Sequence, residues 1–73
     1  MATHRIESLV TGTVWKLERQ IGDLVVKGET ILIVESMKME IPIDAPAAGT
    51  LRELLVAEGE GVNEGQVLAV VAS

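Results

Sequence analysis

The stretch "IVESMKMEIPI", residues 33–43, sets two runs rich in isoleucine and valine on either side of Met37 and Lys38. The runs predict two strands joined by a tight hairpin at that pair. Two-residue hairpin turns require positive φ and favour Asn-Gly or Asp-Gly, so Met-Lys is a poor turn sequence. Natural proteins break such local rules mainly at functional sites. The pair therefore marks a candidate site at the tip of a hairpin.

An internal repeat places this hairpin at the junction of two similar halves. Shifted by 37 residues, residues 9–36 align with residues 46–73 without a gap, and eight positions are identical. Each half is too small to bury its own apolar face, so two halves related by a pseudo-twofold are expected to close on each other. We expect one domain, residues 1–73, with halves at about 8–36 and 45–73 and the hairpin 37–38 at the seam. The identical pairs are Gly12 and Gly49, Thr13 and Thr50, Leu17 and Leu54, Gly22 and Gly59, Val25 and Val62, Gly28 and Gly65, Val34 and Val71, and Ser36 and Ser73.

The repeat unit predicts an all-β chain. Glycine, an acid, valine, glycine and an apolar run read as turn, short strand, turn and strand, so Val25 and Val62 should each enter the core. The longer strands are expected at residues 6–9, 12–17, 30–36, 39–43, 49–54 and 67–72. Short strands with glycine-rich turns are typical of a sandwich or barrel. Because Ser36 and Ser73 are equivalent, the C-terminus should be symmetry-related to the tip.

The composition excludes several classes of function. The net charge of −5 argues against nucleic acid, whose phosphates require a basic surface. The run "ILIV" is too short to span a bilayer, and the N-terminus does not resemble a signal peptide. There is no cysteine, which fits a reducing compartment, and we expect a cytoplasmic protein. The single aromatic residue, Trp15, is expected to be a core or half-buried packing residue rather than a platform for a ligand.

The sequence shows no constellation for self-contained catalysis, so the chain is expected not to be an enzyme. Its one histidine, His4, lies in a terminus expected to fray and has no partner for a metal site. Asp23 and Glu60 each follow a glycine, which makes them turn residues rather than acids or bases. A lysine at a hairpin tip is commonly only a solvated charge, and methionines commonly fill cores. Here the seam, the poor turn sequence and methionine on both sides of Lys38 coincide.

The segment "ESMKME" resembles the attachment site of biotinyl domains, whose hallmark is Met-Lys-Met. The chain is similar to the biotinyl/lipoyl attachment family over about residues 6–72, most like a single-domain biotin carboxyl carrier protein. The resemblance implies a flattened barrel-sandwich hybrid of two four-stranded antiparallel sheets. It also implies that Lys38 forms an amide with biotin and that Met37 and Met39 are read by a biotin protein ligase. Glu35 and Glu40 would support that recognition, or are solvated strand charges.

The resemblance further implies a non-catalytic carrier subunit. Its biotin would shuttle a carboxyl group between a biotin carboxylase and a carboxyltransferase of acyl-CoA carboxylase type. Two alternatives remain: a lipoyl carrier of an acyl-transfer complex, with lipoate on Lys38, and an unmodified structural docking module. Related lipoyl domains carry Asp-Lys-Ala at the tip. The family's usual Ala-Pro-Met is here Ser8-Leu9-Val10, and the gapless repeat leaves no room for a protruding thumb between residues 17 and 22.

Overall fold

The fold is described by a computed structural model that covers residues 2–73. These residues form eight strands: β1 (Thr3–Glu7), β2 (Gly12–Leu17), β3 (Leu24–Val25), β4 (Thr30–Ser36), β5 (Met39–Asp44), β6 (Gly49–Leu54), β7 (Gly61–Val62) and β8 (Val67–Ala72). Over the same residues there is no helix long and apolar enough to cross a membrane.

The strands make two four-stranded antiparallel sheets. One has the order β1-β8-β6-β3 and contains both ends of the chain, so we name it the terminal sheet; the other, β5-β4-β2-β7, is the tip sheet. Each sheet combines strands from both halves of the sequence, so neither half could bury its apolar face alone. The predicted flattened barrel-sandwich is confirmed.

The pairing register shows that the repeat is structural. β2 pairs with β4 through Thr13–Glu35, Val14–Val34, Lys16–Ile33 and Leu17–Leu32. β6 pairs with β8 through Thr50–Ala72, Leu51–Val71, Glu53–Val70 and Leu54–Ala69. Adding 37 to every number of the first set gives the second, including the β-bulge in each pair. The two sheets are therefore related by a pseudo-twofold that preserves the register of every side chain.

The first strand lies earlier than predicted. We expected residues 6–9, but β1 is Thr3–Glu7, and His4 pairs with Val71 of β8 instead of lying in a frayed terminus. The strand gives way to a turn after Glu7, where the Ser8 hydroxyl donates to the Val10 carbonyl at 2.6 Å. Because β8 needs a neighbour on this side, pairing with it overrides the usual fraying of a terminus.

The core is built from aliphatic side chains of both sheets. Val25 and Val62 are both buried, as predicted. Trp15 is 49% exposed, which agrees with the half-buried placement and not with the core placement of the prediction. It is the extra residue of the β2 bulge and has no partner in β4. The buried apolar residues are Ile6, Val14, Val25, Ile31, Leu32, Val34, Ile43, Ala45, Leu51, Val56, Val62, Leu68, Ala69 and Val71.

The connections between sheets are short and symmetric. Residues 18–23 join β2 to β3, and residues 55–60 join β6 to β7, so the first half carries no thumb. Asp23 Oδ2 accepts a hydrogen bond from Gln20 N at 2.9 Å, and Glu60 Oε1 accepts one from Ala57 N at 3.1 Å. Both carboxylates act as turn residues, as predicted.

One ion pair breaks the symmetry of the turns. Arg19 Nη2 donates to Glu29 Oε2 at 2.7 Å, and Val26 N donates to Glu29 Oε1 at 3.3 Å. The hydrogen bond from Arg19, then that from Val26, holds the pKa of Glu29 below its usual value. In the other half Gln66 stands where Glu29 does and accepts from Asn63 N at 3.0 Å. The turn itself therefore needs only a side-chain oxygen.

We expect Glu29→Gln to flatten the acid limb of the stability profile. A carboxyl whose folded pKa is lowered stabilises the fold above its ordinary pKa of about 4.3, and this contribution is lost as the pH falls below it toward the depressed folded value. Glutamine keeps the turn bond, as Gln66 does, but cannot titrate. Urea midpoints measured between pH 7 and pH 3 should fall less steeply for Glu29→Gln than for the wild type. Glu53→Gln, which removes the same charge from an exposed strand position, should leave the slope unchanged; equal slopes for all three proteins would contradict this.

Candidate functional site

The hairpin between β4 and β5 is a tight turn with unusual backbone geometry. Met37 has a φ of 52° and Lys38 a φ of 66°, while Ser36 and Met39 pair directly below them. Positive φ at both central residues is the primed turn that matches strand twist and normally uses asparagine and glycine. For ordinary L-residues this region costs about 1–2 kcal/mol per residue. The tight hairpin is confirmed, and its non-glycine residues are held under strain.

The tip projects its three central side chains into solvent. Met37 is 93% exposed and Met39 is 61% exposed, and Lys38 is exposed between them. The ion pairs among residues 2–73 are Lys16–Glu18 and Arg19–Glu29, so Lys38 belongs to neither. A free amine flanked by two exposed apolar side chains is chemically accessible and recognisable by a partner surface.

The base of the hairpin is fixed by contacts that the sequence did not reveal. Ser36 Oγ donates to the Thr11 carbonyl at 2.9 Å, and Glu64 N donates to Thr11 Oγ1 at 3.1 Å. Gly12 lies so close to β4 that a Cβ there would stand 2.3 Å from the Glu35 carbonyl oxygen. The repeat of Gly12 with Gly49 was the one sequence signal of this close approach. These contacts hold the lysine on a rigid base.

Two glutamates lie directly below the tip. Glu35 and Glu40 face each other across β4 and β5, and both are exposed. Like charges directly opposite each other are unfavourable in a sheet. The pseudo-twofold equivalents are Ala72 and Thr3, which also pair, so the fold does not require this acidic couple. The five residues predicted for the site therefore lie together in one hairpin.

The opposite end of the molecule holds Ala2 and Ser73. Ser73 N donates to the Ala2 carbonyl at 2.9 Å, and Ala2 N donates to the Ser73 carbonyl at 3.2 Å. This pair is the pseudo-twofold equivalent of Ser36 and Met39, so the predicted symmetry between C-terminus and tip is confirmed. Ala2 and Ser73 therefore lie at the end of the domain opposite Lys38, in a molecule with extents of 36 × 19 × 18 Å.

The best-formed groove of the described residues lies away from the tip. A shallow groove of about 250 Å³ runs between β1 and β5, with Ile6, Leu9, Ile43 and Pro46 among its walls. It lies at the end of β5 remote from Met39. Over residues 2–73 there is no cluster of three or more potential metal ligands.

We expect Met37→Gly to stabilise the fold while weakening recognition of the tip. Glycine adopts φ 52° without the steric penalty of a Cβ, but it also loses more conformational entropy on folding than methionine does. The steric gain should be the larger effect, so the free energy of unfolding should rise by up to roughly 1 kcal/mol. The exposed thioether that a partner could contact is lost at the same time. Thermal unfolding measures the first effect, and the rate of modification by the biotin protein ligase that the sequence resemblance implies measures the second. A faster or unchanged rate of modification would mean that the ligase does not recognise the Met37 side chain.

Comparison with known proteins places this geometry in a family. Residues 2–71 match the family described as "Biotin-requiring enzyme". Over 59 residues the chain is 48% identical to the biotin/lipoyl attachment protein of Bacillus subtilis, which covers 81% of each protein. It is 43% identical over 65 residues to the dihydrolipoyllysine-residue succinyltransferase component of the 2-oxoglutarate dehydrogenase complex of Staphylococcus saprophyticus, covering 89% of this chain and 15% of that one.

A solved structure agrees with both fold and family. The crystal structure of the Kluyveromyces lactis urea carboxylase superposes with a TM-score of 0.93 and 30% identity, covering 99% of this chain and 6% of the carboxylase. The chain thus spans a small part of these two large relatives, and the family's domain is a carrier rather than a catalytic unit. The chain therefore belongs to the family of biotin-requiring enzymes, as a biotin/lipoyl attachment domain.

Proposed function

We propose that this protein is a biotin carrier with biotin attached to Lys38 Nζ. The observation that supports this best is an exposed lysine between two exposed methionines, on a strained turn where the fold would favour Asn-Gly. A biotin protein ligase would present biotin activated at its carboxyl group. The C–N amide bond then forms as the bond to the activating group breaks, and the amine gives up a proton to solvent.

The recognition of the tip is assigned to its immediate neighbours. Met37 and Met39 offer two polarizable, flexible side chains to the ligase. Glu35 and Glu40 add a local negative charge that would favour a cationic ligase surface and penalise an acidic one. Because the strained turn and the acidic pair both disfavour the isolated fold, their presence supports a role in binding a partner.

The chain's contribution to carboxyl transfer is positional. When bound, biotin supplies a ureido nitrogen that accepts and releases a carboxyl group. The anchored hairpin base holds the Lys38 Cα in place, while the lysine side chain provides a flexible arm. Amide formation also removes a positive charge, so the formal net charge moves from −5 to −6 and no ammonium group has to be desolvated in a partner's cleft. Tethering raises the effective concentration of the group at each active site.

The proposed partners are a biotin carboxylase and a carboxyltransferase, which load and unload the carrier in the cytoplasm. The likeness to a domain of a urea carboxylase supports a carboxylase assembly of this kind. A lipoyl carrier is the second candidate, supported by the 43% identity to a lipoyl-bearing transferase component. Methionines flank Lys38, whereas related lipoyl domains carry Asp-Lys-Ala at the tip. This difference favours biotin over lipoate.

The intact mass of the protein decides between these functions. The chain is produced in a host that has both biotin and lipoate ligases, and the sample is also incubated with each purified ligase. A single biotin-sized increment supports the proposal. A lipoyl-sized increment assigns the protein to an acyl-transfer complex. An unmodified mass after both treatments would favour the third candidate, an unmodified structural docking module.

A further inference from the structure

Two hydroxyl groups link the tip hairpin to the turn between β7 and β8. Ser36, which closes the hairpin opposite Met39, donates its hydroxyl to the Thr11 carbonyl at 2.9 Å. Thr11 Oγ1 in turn accepts a hydrogen bond at 3.1 Å from the backbone N of Glu64, which lies in that turn. The two bonds meet in one residue, so each depends on the position that the other gives to Thr11. We name the hydroxyls of Ser36 and Thr11 the hydroxyl brace.

The turn that supports the brace is itself held by backbone and side-chain bonds. Gly65 N donates to the Ser8 carbonyl at 2.8 Å, and Ser8 N donates to the Gln66 carbonyl at 2.9 Å. Asn63 N donates to Gln66 Oε1 at 3.0 Å and closes the turn. Ser8 is buried. The segment that carries Thr11 is therefore fixed at Ser8, and the brace connects the hairpin to a rigid support.

The backbone part of this arrangement recurs in the other half of the chain. Gly28 N donates to the Ala45 carbonyl at 2.9 Å, and Ala45 N donates to the Glu29 carbonyl at 2.8 Å. Adding 37 to the numbers of the bonding residues of the first segment, or subtracting it, relates the two pairs of bonds. These backbone bonds therefore belong to the common fold.

The hydroxyl brace does not recur. The pseudo-twofold equivalent of Thr11 is Ala48, which has no hydroxyl to accept a hydrogen bond. The equivalent of Ser36 is Ser73, and its hydroxyl instead contacts His4 Nε2 at 3.3 Å. The fold therefore accepts alanine at the position of Thr11, and the brace is an addition found at the Lys38 end.

The turn above the brace is strained, which gives the brace a role. Met37 and Lys38 hold φ at 52° and 66°, a region that is unfavourable for residues other than glycine. Strained backbone persists where the surrounding structure fixes it. Ser36 directly precedes Met37, so its hydrogen bond acts on the residue next to the first strained position. Without that bond the hairpin is free to relax toward less strained geometries.

We propose that Thr11 and Ser36 are positioning residues for the attachment reaction at Lys38, and that their hydroxyls hold the turn in the conformation that the ligase binds. The proposal rests on the carrier function proposed above. Loss of either hydroxyl lets the turn relax, so that only a fraction of the carrier molecules presents Lys38 in the bound geometry. The apparent KM for the carrier then rises by the inverse of that fraction, whereas kcat at saturation is kept.

The test removes each hydroxyl and then restores it. Thr11→Ala copies Ala48, which the fold already accepts, and Ser36→Ala removes the donor at the hairpin. Thr11→Ser and Ser36→Thr keep the hydroxyls and should behave as wild type. Ser73→Ala is the matched control, because it removes the equivalent hydroxyl at the end opposite Lys38. Thermal unfolding shows that each variant is folded.

The first measurement is the kinetics of biotin incorporation, with the ligase of the proposed function, biotin and ATP. We expect KM for the carrier to rise about twofold to tenfold in each alanine variant, the equilibrium factor of one typical hydrogen bond, with kcat unchanged. Because the two bonds form one relay, the double variant Thr11→Ala/Ser36→Ala should have a KM close to that of either single variant. Ser73→Ala should keep the wild-type KM.

The second measurement is backbone hydrogen exchange of the unmodified protein, which needs no ligase. The amides of Ser36 and Met39, which pair directly below the tip, should exchange faster in both alanine variants by a factor similar to the rise in KM. The amides of the buried residues Leu51 and Val71 should keep the wild-type rate, because they lie in the core of the terminal sheet. Faster exchange confined to the hairpin would show that the brace holds the turn.

Four results would overturn the inference. They are an unchanged KM or unchanged hairpin exchange in both alanine variants, an equal rise of KM in Ser73→Ala, a failure of Thr11→Ser and Ser36→Thr to restore the wild-type KM, and single-variant factors that multiply in the double variant. A wild-type protein that takes up no biotin would instead contradict the proposed function, and hydrogen exchange would still decide whether the brace holds the turn.

Discussion

The Lys38→Arg variant is expected to carry no biotin and to support no carboxyl transfer, which is a complete loss rather than a reduction. Arginine keeps the positive charge and can occupy the same exposed turn position, so the fold should be unchanged. Its guanidinium stays protonated in proteins and offers no free amine to an activated carboxyl group. Intact mass after incubation with ligase, biotin and ATP measures the loss, and a coupled carboxylation assay confirms it.

The control for this variant is Lys27→Arg. Lys27 is also exposed and also stands in a two-residue turn, before Gly28, but it has no methionine beside it. Lys27→Arg should accept biotin at the wild-type rate, because the amine at Lys38 is intact. A biotin increment that persists in Lys38→Arg and disappears in Lys27→Arg would place the attachment site at Lys27 and contradict its assignment to Lys38.

The Gly12→Ala variant is expected to lose about 1–3 kcal/mol of stability, the usual cost of forcing atoms into a packed interior. The new Cβ would stand 2.3 Å from the Glu35 carbonyl oxygen, a backbone atom that cannot rotate away. β2 and β4 must therefore separate immediately below the tip. Biotinylation by purified ligase should slow several-fold, because the ligase meets a hairpin whose base has moved. Urea denaturation and time-resolved intact mass measure the two effects.

Gly49→Ala is the matched control, because the pseudo-twofold reproduces the clash at the other end. A Cβ on Gly49 would stand 2.3 Å from the Ala72 carbonyl oxygen, beside the chain termini. Its loss of stability should be similar to that of Gly12→Ala, while biotinylation under native conditions should stay near the wild-type rate. Equal slowing in both variants would show that global stability, rather than the hairpin base, limits modification.

Much of the architecture could be predicted because the sequence is duplicated. The gapless repeat and the paired glycines indicated two equivalent halves, and the pattern of glycine, acid, valine and glycine indicated that Val25 and Val62 are buried. The register of β2 with β4 then recurs in β6 with β8 because the same backbone solution is used twice. The first strand was misplaced because residues 3–7 carry a weak apolar pattern, and only pairing with β8 makes them a strand.

The candidate site was predicted from its local chemistry but not from its support. Met37, Lys38 and Met39 are adjacent in sequence, so a poor turn sequence was enough to single them out. The contact of Ser36 with Thr11 joins residues far apart in the chain, and no pattern indicated it.

The sequence by itself determined the elements that depend on neighbouring residues: the strands, the turns, the repeat and the lysine at the seam. Local φ preferences, side-chain alternation and the spacing of glycines act over a few residues, so their effects can be inferred from the sequence. Only the tertiary structure decided which face each exposed residue occupies, how the hairpin base is anchored, and that the tip and the termini lie at opposite ends. These depend on strand pairing between distant segments, where the burial of apolar surface by both halves together sets the arrangement.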